Sequence, residues 1–358
     1  MRRINQTTSS LVFKVKISNL LVLAFLMLIL ILMGGNSNNP DISNYIYSYS
    51  MTGFDRHSDG AFGYEVMKNF AQSLGISFRN FRLILYLLGL TNFYIFLKKL
   101  NVSNLMMILC YSLSLMMIDS TQTYNFIGMT FLLLAISYLI TDNKFGKLNF
   151  FICLIGATSF HSVFILYLPL LFFYDRIIDN EKMKFYLFFF SFFIIISLLP
   201  IADFIGSSLS KLLPILQLSS YLSYLNSRTN FGHLYPISIH LLSTSFVYFL
   251  YRLSVVQGLK CQEMLRKILF IHVYAFVFFP LFKFQLTLGR LTRNIEILTF
   301  VSGLVYSLEK KNINTTFVVY GALIFLALLM GYNSVYSDYY YSIVKPFIES
   351  NWILYGGN

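Results

Sequence analysis

The sequence predicts an all-α, polytopic integral membrane protein, and three properties of its composition point the same way. The 358 residues are 57% apolar, 18% aromatic and only 12% charged. A soluble domain carries about 25% charged and 45–50% apolar residues, so the departure is large and in one direction. The mean hydropathy of +0.66 agrees. These values exclude a water-soluble globular enzyme, a fibrous chain and a disordered chain.

Hydrophobic segments give the expected helices. About 20 apolar helical residues cross the hydrocarbon core of a bilayer, and shorter segments must include their flanking residues. The first segment is interpreted as a retained span, because no A-x-A-like cleavage site follows it. One multi-pass domain over residues 1–358 is expected, with about ten hydrophobic segments: 17–33, 83–96, 104–118, 126–140, 148–174, 185–199, 237–251, 268–282, 295–308 and 317–332.

Lysine and arginine predict the orientation, because basic residues collect in cytoplasmic loops. The N-terminus contains four of them before the first segment, so we expect it in the cytoplasm. Most other Lys and Arg residues then fall in short inner loops, which explains the net charge of +12 without a nucleic acid partner. The long segments 34–80 and 200–235 are the main outer loops, and we expect the functional face there.

Segment 148–174 is predicted to be a re-entrant hairpin. Its least apolar part is A-T-S-F-H-S at 157–162, which divides it into two arms. At ~1.5 Å per residue, each arm is about half a membrane long. A segment that enters and leaves on the same side also places the later basic loop at 252–267 inside. Broken backbone at this depth is tolerated where it lines a polar cavity.

His161 lies at the tip of this hairpin, among the hydroxyl groups of Thr158, Ser159 and Ser162. A histidine in that setting is a candidate catalytic base. His240 and His272 are interpreted as hydrogen-bond partners between helices. The three cysteines form no CxxC pair and no HExxH motif occurs, so neither a metal site nor a cofactor is predicted.

The first outer loop places carboxylates beside tyrosines, a combination that suits sugar hydroxyls and sugar faces. Asp41, Tyr45 and Tyr49 are spaced by four residues and are expected on one helix face. Asp59 and Glu65 follow as further candidate general bases. The alternative is an ordinary aromatic belt with solvated carboxylates.

Arg290, Arg293 and Glu296 recur every three residues and are expected on one face of a helix. Arginine recognises phosphate through a planar, permanently charged fork, so two arginines near the membrane surface suit a lipid diphosphate. The alternative is that both side chains extend to the interface as anchors. Arg79 in the first outer loop is a further candidate for substrate binding.

Several motifs together resemble the bacterial Wzy-type and EpsG-type polysaccharide polymerases. They are D-x3-Y-x3-Y from Asp41, G-Y-E at 63–65, G-I-S-F-R-N-F at 75–81, A-T-S-F-H-S at 157–162 and an arginine-led late helix. Many EpsG-type sequences open the fourth span with Arg-Gln. This chain has Q-T-Y-N-F at 122–126 instead. The expected role of that arginine therefore shifts to Arg290 and Arg293.

The resemblance implies a glycosyltransferase of the bacterial inner membrane that needs no cofactor. It would join undecaprenyl-diphosphate-linked repeat units into O-antigen, capsule or exopolysaccharide on the periplasmic side. Its partners would be these glycans, the bilayer, and a chain-length regulator and flippase. Arg290 and Arg293 would bind the diphosphate leaving group, and His161, Asp59 or Glu65 would be the base. A lipid-linked oligosaccharide flippase or transporter and a membrane O-acetyltransferase remain alternatives.

Overall fold

The computed structural model describes residues 2–53, 61–102, 105–141, 144–173, 180–198, 232–283, 286–335 and 340–356. Within these ranges the secondary structure is helical and no strand forms, which confirms the all-α class. Asp59 and most of the second outer loop lie outside the described residues.

The longer helices follow the hydrophobic segments, usually with a few extra residues at each end. Short 3-10 helices cover Ser162–Tyr167, Ala275–Phe278 and Leu286–Gly289. The α-helices are α1 Arg2–Gly35, α2 Ile42–Ser50, α3 Phe62–Ser73, α4 Phe78–Lys99, α5 Leu105–Ser114, α6 Met116–Asp119, α7 Thr123–Ile140, α8 Gly146–Phe160, α9 Leu170–Phe173, α10 Asn180–Leu198, α11 Leu234–Val256, α12 Gln262–Tyr274, α13 Phe279–Phe282, α14 Arg290–Arg293, α15 Ile297–Lys310, α16 Ile313–Val335, α17 Lys345–Glu349 and α18 Trp352–Tyr355.

Among the described residues, five helical stretches are long and apolar enough to cross a membrane, namely α4, α7, α11, the run Gln262–Phe282, and α16 up to Tyr332. Shorter apolar helices occur in α1, α5, α8, α10 and the run Ser162–Phe173. Together they confirm the prediction of a polytopic membrane protein.

The chain forms two compact units. Unit 1 comprises Met1–Leu168 and Ile313–Asn358, and unit 2 comprises Pro169–Asn312. Unit 1 is therefore interrupted in sequence by the whole of unit 2. This division does not test the prediction of one multi-pass domain over residues 1–358, which stays a prediction.

Glycines let the helices of unit 1 approach closely. A Cβ at Gly146 would lie 2.7 Å from the carbonyl oxygen of Tyr138, and one at Gly128 would lie 3.1 Å from that of Ala157. Small residues at helix contacts allow this close backbone approach in membrane proteins. As a result α8 runs antiparallel to α7 along most of its length.

Each unit separates the predicted inner and outer segments to opposite ends of its helices. In unit 1 the Lys99 ammonium lies 4.0 Å from the Tyr138 ring centroid, so the carboxyl ends of α4 and α7 meet at one end. The loops before α4 and α7 meet at the opposite end, which we call the outer end of unit 1. There, the buried guanidinium of Arg82 donates to the carbonyl oxygens of Asn36 and Ser120.

Unit 2 is arranged in the same way. At one end the Glu309 carboxylate accepts the backbone N–H groups of Lys260 and Cys261, at 2.5 and 2.6 Å, which ties the start of α12 to the end of α15. At the other end, a Cβ at Gly289 would meet Pro236 at 3.3 Å, so the segment before α14 packs on the start of α11.

The predicted break in segment 148–174 is confirmed. Helix α8 ends at Phe160, His161 is extended with φ −152° and ψ 109°, and a 3-10 helix begins at Ser162. The 3-10 helix packs against α7 through Phe164, which contacts Gly128. Whether the second arm returns to the side of entry stays a prediction.

Candidate functional site

The outer end of unit 1 carries an aromatic cluster, which consists of Tyr45, Tyr49, Tyr64, Phe81 and Tyr124. The ring centroids of Tyr45 and Tyr124 are 4.8 Å apart, those of Tyr124 and Tyr64 are 4.3 Å apart, and those of Tyr64 and Phe81 are 5.4 Å apart. Tyr49 completes the row at 5.1 Å from Phe81. Three separate helices and the start of a fourth therefore contribute to one aromatic surface.

Tyr45 and Tyr49 lie on α2 as predicted, and both are half-buried. The Tyr49 hydroxyl donates to the carbonyl oxygen of Ile76, so part of its hydrogen-bonding capacity holds α2 in place. Burial raises the pKa of Tyr49 and that of Tyr64, so both phenols stay neutral near pH 7. Asp41 occupies the N-cap position of α2, and its carbonyl oxygen accepts the Tyr45 N–H at 3.1 Å.

Glu65 forms a buried ion pair on α3. Its Oε2 lies 2.6 Å from the Lys68 ammonium, and the two side chains are 2% and 0% exposed. The same ammonium donates to the carbonyl oxygen of Ser48 at 3.3 Å, which links α3 to α2. A carboxylate held in this way is suited to positioning the two helices, because removing one partner would leave a buried charge uncompensated.

Helix α3 also approaches the break at His161. A Cβ at Gly63 would lie 2.6 Å from Ser159 Oγ, so the first turn of α3 sits directly on the last turn of α8. His161 follows two residues after Ser159 and is half-buried, with its ring centroid 5.8 Å from that of Phe164. The structure thus brings the residues just before His161 to the helix that carries Tyr64 and Glu65.

Arg79 is exposed and lies at the same outer end. Its guanidinium carbon is 5.5 Å from the centroid of the Trp352 ring, a cation–π contact. Trp352 belongs to a C-terminal strap, residues 350–352, that binds the end of α1. Ser350 accepts the Ser37 N–H at 2.8 Å, and the Asn351 amide donates to the carbonyl oxygen of Ile31 at 3.0 Å.

Arg290 and Arg293 form the two ends of the single-turn helix α14 in unit 2, and both side chains are half-buried. Glu296 follows on the connection into α15. Its side chain is buried and bonds to His240, and α14 ends at Arg293, so the three residues do not share one helix as the spacing predicted.

A buried polar cluster in unit 2 joins three helices, and we call it the histidine–glutamate cluster. It consists of His240 on α11, His272 on α12, Glu296 and Thr299. His240 Nδ1 lies 2.6 Å from Glu296 Oε1, and its Nε2 lies 2.9 Å from the carbonyl oxygen of His272. Thr299 Oγ1 is 3.3 Å from His272 Nε2. The prediction that both histidines hydrogen-bond between helices is confirmed. His240 bonds to α12 and to Glu296, and His272 bonds to Thr299 on α15.

A comparison with protein families matches residues 19–348 to the EpsG family. The chain belongs to the EpsG family. The match covers nearly the whole chain, including both units and every described candidate residue. The search of curated proteins and the search of solved structures found no match.

The family confirms the resemblance seen in the sequence motifs. Membership of the EpsG family indicates a polysaccharide-polymerase-like function of the glycosyltransferase class. This EpsG-family protein is a membrane protein. The candidate residues are not tested by the family match, and their roles stay predictions.

Three features of the EpsG-family protein were missed in the sequence. Tyr64 and Tyr124 lie far apart in the chain, and only the fold shows that their rings touch. The pair Glu65 and Lys68 had a signal, since residues three apart on a helix are neighbours. The histidine–glutamate cluster had none, because His240, His272 and Glu296 come from distant parts of the chain and share no local spacing.

Proposed function

We propose that this EpsG-family protein joins undecaprenyl-diphosphate-linked oligosaccharide repeat units into O-antigen, capsule or exopolysaccharide. The work would take place on the periplasmic side of the bacterial inner membrane. The observation that carries the proposal is the aromatic cluster at the outer end of unit 1, whose helix α3 packs on the residues just before His161. Aromatic faces and neutral phenols are suited to binding sugar rings and their hydroxyl groups.

His161 is the base in this proposal. It is half-buried, so an acceptor hydroxyl can reach it, and histidine is the side chain most often used as a general base. Glu65 is committed to Lys68 and would position α3. Asp59 lies outside the described residues, and its assignment as a base stays a prediction. Asp41, Tyr45, Tyr49 and Arg79 would contact the acceptor glycan.

Arg290 and Arg293 would stabilise the diphosphate that leaves when the new glycosidic bond forms. The developing negative charge on a leaving diphosphate is lowered in energy by arginine donors already in place. Both side chains are half-buried, so each keeps a surface that a ligand can approach. The bilayer would hold the lipid part of each substrate, and a flippase and a chain-length regulator would act beside the polymerase.

The separation of loops supports the periplasmic assignment. In each unit the predicted outer segments share one end of the helices, and the basic inner loops share the other. The positive-inside rule then directs the aromatic cluster to the periplasm.

The test is a chromosomal deletion with complementation, with glycan ladder length measured on gels. We expect the deletion to abolish long ladders while a single-repeat band survives. Loss of both would instead indicate a flippase or an earlier step. Normal ladders that lack acetyl groups would indicate an O-acetyltransferase.

Complementation with His161 variants tests the base. Loss of a general base slows a reaction by about 10²–10⁴-fold, so His161→Ala should shorten ladders strongly at normal membrane abundance. His161→Gln keeps a hydrogen-bonding side chain but cannot take the proton, and it should fail equally. Long ladders from His161→Gln would show that the histidine has only a structural role.

A further inference from the structure

The structure assigns a second site to this protein, far from the aromatic cluster in sequence. We propose that the histidine–glutamate cluster binds a divalent transition metal ion of the zinc class. The ligands are His240, His272 and Glu296, and the ion joins α11, α12 and the start of α15. The proposal is independent of the polymerase function.

The donor atoms are close together and shielded from solvent. One ligand-type atom from each of the three residues lies within 4.8 Å of the other two. His240 and His272 are 0% exposed and Glu296 is 2% exposed. Buried charges in proteins are paired or bind metal ions.

The hydrogen bonds of His240 fix which of its nitrogens can bind a cation. Nε2 faces the carbonyl oxygen of His272, which only accepts, so Nε2 carries the hydrogen. In the neutral ring Nδ1 then presents a lone pair to the Glu296 carboxylate at 2.6 Å. Two facing lone pairs repel each other unless they share a proton, as this distance suits, or a metal ion, whose binding would move the two atoms slightly apart. A histidine that donates its other N–H to a backbone carbonyl is the usual arrangement of a metal ligand.

His272 favours the metal ion over the shared proton. A proton between His240 and Glu296 satisfies only those two residues. His272 Nδ1 is buried and has no hydrogen-bond partner among the residues that the structure describes. Its ring stacks on that of His240 with centroids 5.1 Å apart, so both imidazoles border the same space. A metal ion takes a lone pair from each of the three side chains.

The chemistry of the donors selects the class of ion. Imidazole nitrogen and carboxylate oxygen are common ligands of zinc, whereas magnesium and calcium prefer oxygen alone. Thr299 Oγ1 lies 3.4 Å from Glu296 Oε2 and 3.3 Å from His272 Nε2. Its hydroxyl can hydrogen-bond to both ligands and so orient them.

The experiment uses the full-length protein, purified in detergent with an affinity tag that contains no histidine. We expect one zinc ion per chain by inductively coupled plasma mass spectrometry. Removal by a chelator should lower the melting temperature, and Zn²⁺ but not Mg²⁺ should restore it. A wild-type protein without metal, whose melting temperature does not respond to Zn²⁺, would overturn the proposal in favour of the shared proton.

Two variants and one matched control locate the ion. Glu296→Gln and His272→Gln should weaken zinc binding by at least about tenfold, the scale on which even supporting residues act. His233→Gln changes the same residue type two turns earlier, just before α11 begins, and should bind zinc like the wild type. Equal zinc binding by all three variants would place the ion elsewhere and refute the site.

Discussion

At Arg290 and Arg293, one conservative substitution can distinguish ligand binding from membrane anchoring. Lysine keeps the positive charge and can still extend to the interface, but it lacks the planar fork that grips two phosphate oxygens. The two roles therefore predict different results for the same conservative substitution.

We expect Arg290→Lys or Arg293→Lys to shorten or abolish the polymer at normal membrane abundance. Removing one donor to a developing charge costs about 2.7–4 kcal/mol of transition-state stabilisation, or about 10²–10³ in rate. The measurement is glycan ladder length beside membrane protein level.

Arg252→Lys is the matched control, because Arg252 is exposed near the end of α11 at the opposite, predicted inner end. It should give full-length ladders. If both α14 variants also give full-length ladders, the arginines are anchors and the leaving-group assignment is wrong.

At the scale of the element, α3 connects the aromatic cluster to the end of α8, which immediately precedes His161. Its first turn fits against α8 only because residue 63 has no side chain. A Cβ there would lie 2.6 Å from Ser159 Oγ and 3.1 Å from Ser159 Cβ. The contact is steric and local, so it can be tested by adding a methyl group at residue 63 and then removing the side chain at residue 159.

We expect Gly63→Ala to destabilise the protein by about 1–3 kcal/mol, the usual penalty for overpacking, and to shorten the polymer. Adding Ser159→Gly removes the two nearest side-chain atoms and should recover part of the loss. Thermal unfolding in detergent and ladder length are the measurements.

Gly321→Ala is the control for this exchange. It makes the same change in α16, where a Cβ would meet nothing within 4 Å, and it should not lower the melting temperature. A Gly63→Ala protein as stable and active as the wild type would mean that α3 and α8 separate without consequence.

The elements also show what the sequence could predict. The helix break at His161 was predictable because polar residues interrupt an otherwise apolar stretch. The helix of Asp41, Tyr45 and Tyr49 was predictable from spacing, but the neighbours against which its tyrosines pack were not. The Tyr49 hydroxyl bonds to Ile76 just before α4, and its ring contacts Phe81 on α4. These contacts depend on tertiary packing. The role of Glu296 was missed for the same reason.

For the whole molecule, membrane orientation is the property that the positive-inside rule predicts most directly. Cysteine labelling tests it, in a background where Cys110, Cys153 and Cys261 are replaced by serine. Single cysteines are then introduced one at a time. Those at positions 179 and 182 should resist an impermeant maleimide added from the periplasm, and those at positions 220 and 290 should react. Asp179 and Ser220 lie outside the described residues, so this experiment supplies their first placement.

Periplasmic labelling at residue 179 would contradict the hairpin and make segment 148–174 an ordinary span. His161 would then lie in a continuous transmembrane segment, and the expected side of later loops would change.

The all-α class and the apolar segments were predictable because membrane helices need long apolar runs. The division into two units was not, because it depends on which helices pack together.

The strap at the carboxyl end has a consequence for how the protein is made. Asn351 bonds to the carbonyl oxygen of Ile31, and 320 residues separate the two in the chain. The ribosome completes α1 early but makes its partner only 320 residues later. All of unit 2 is synthesised between the two parts of unit 1. The end of α1 therefore lacks these hydrogen bonds until residue 351 has been made, and a chain truncated before that residue never forms them.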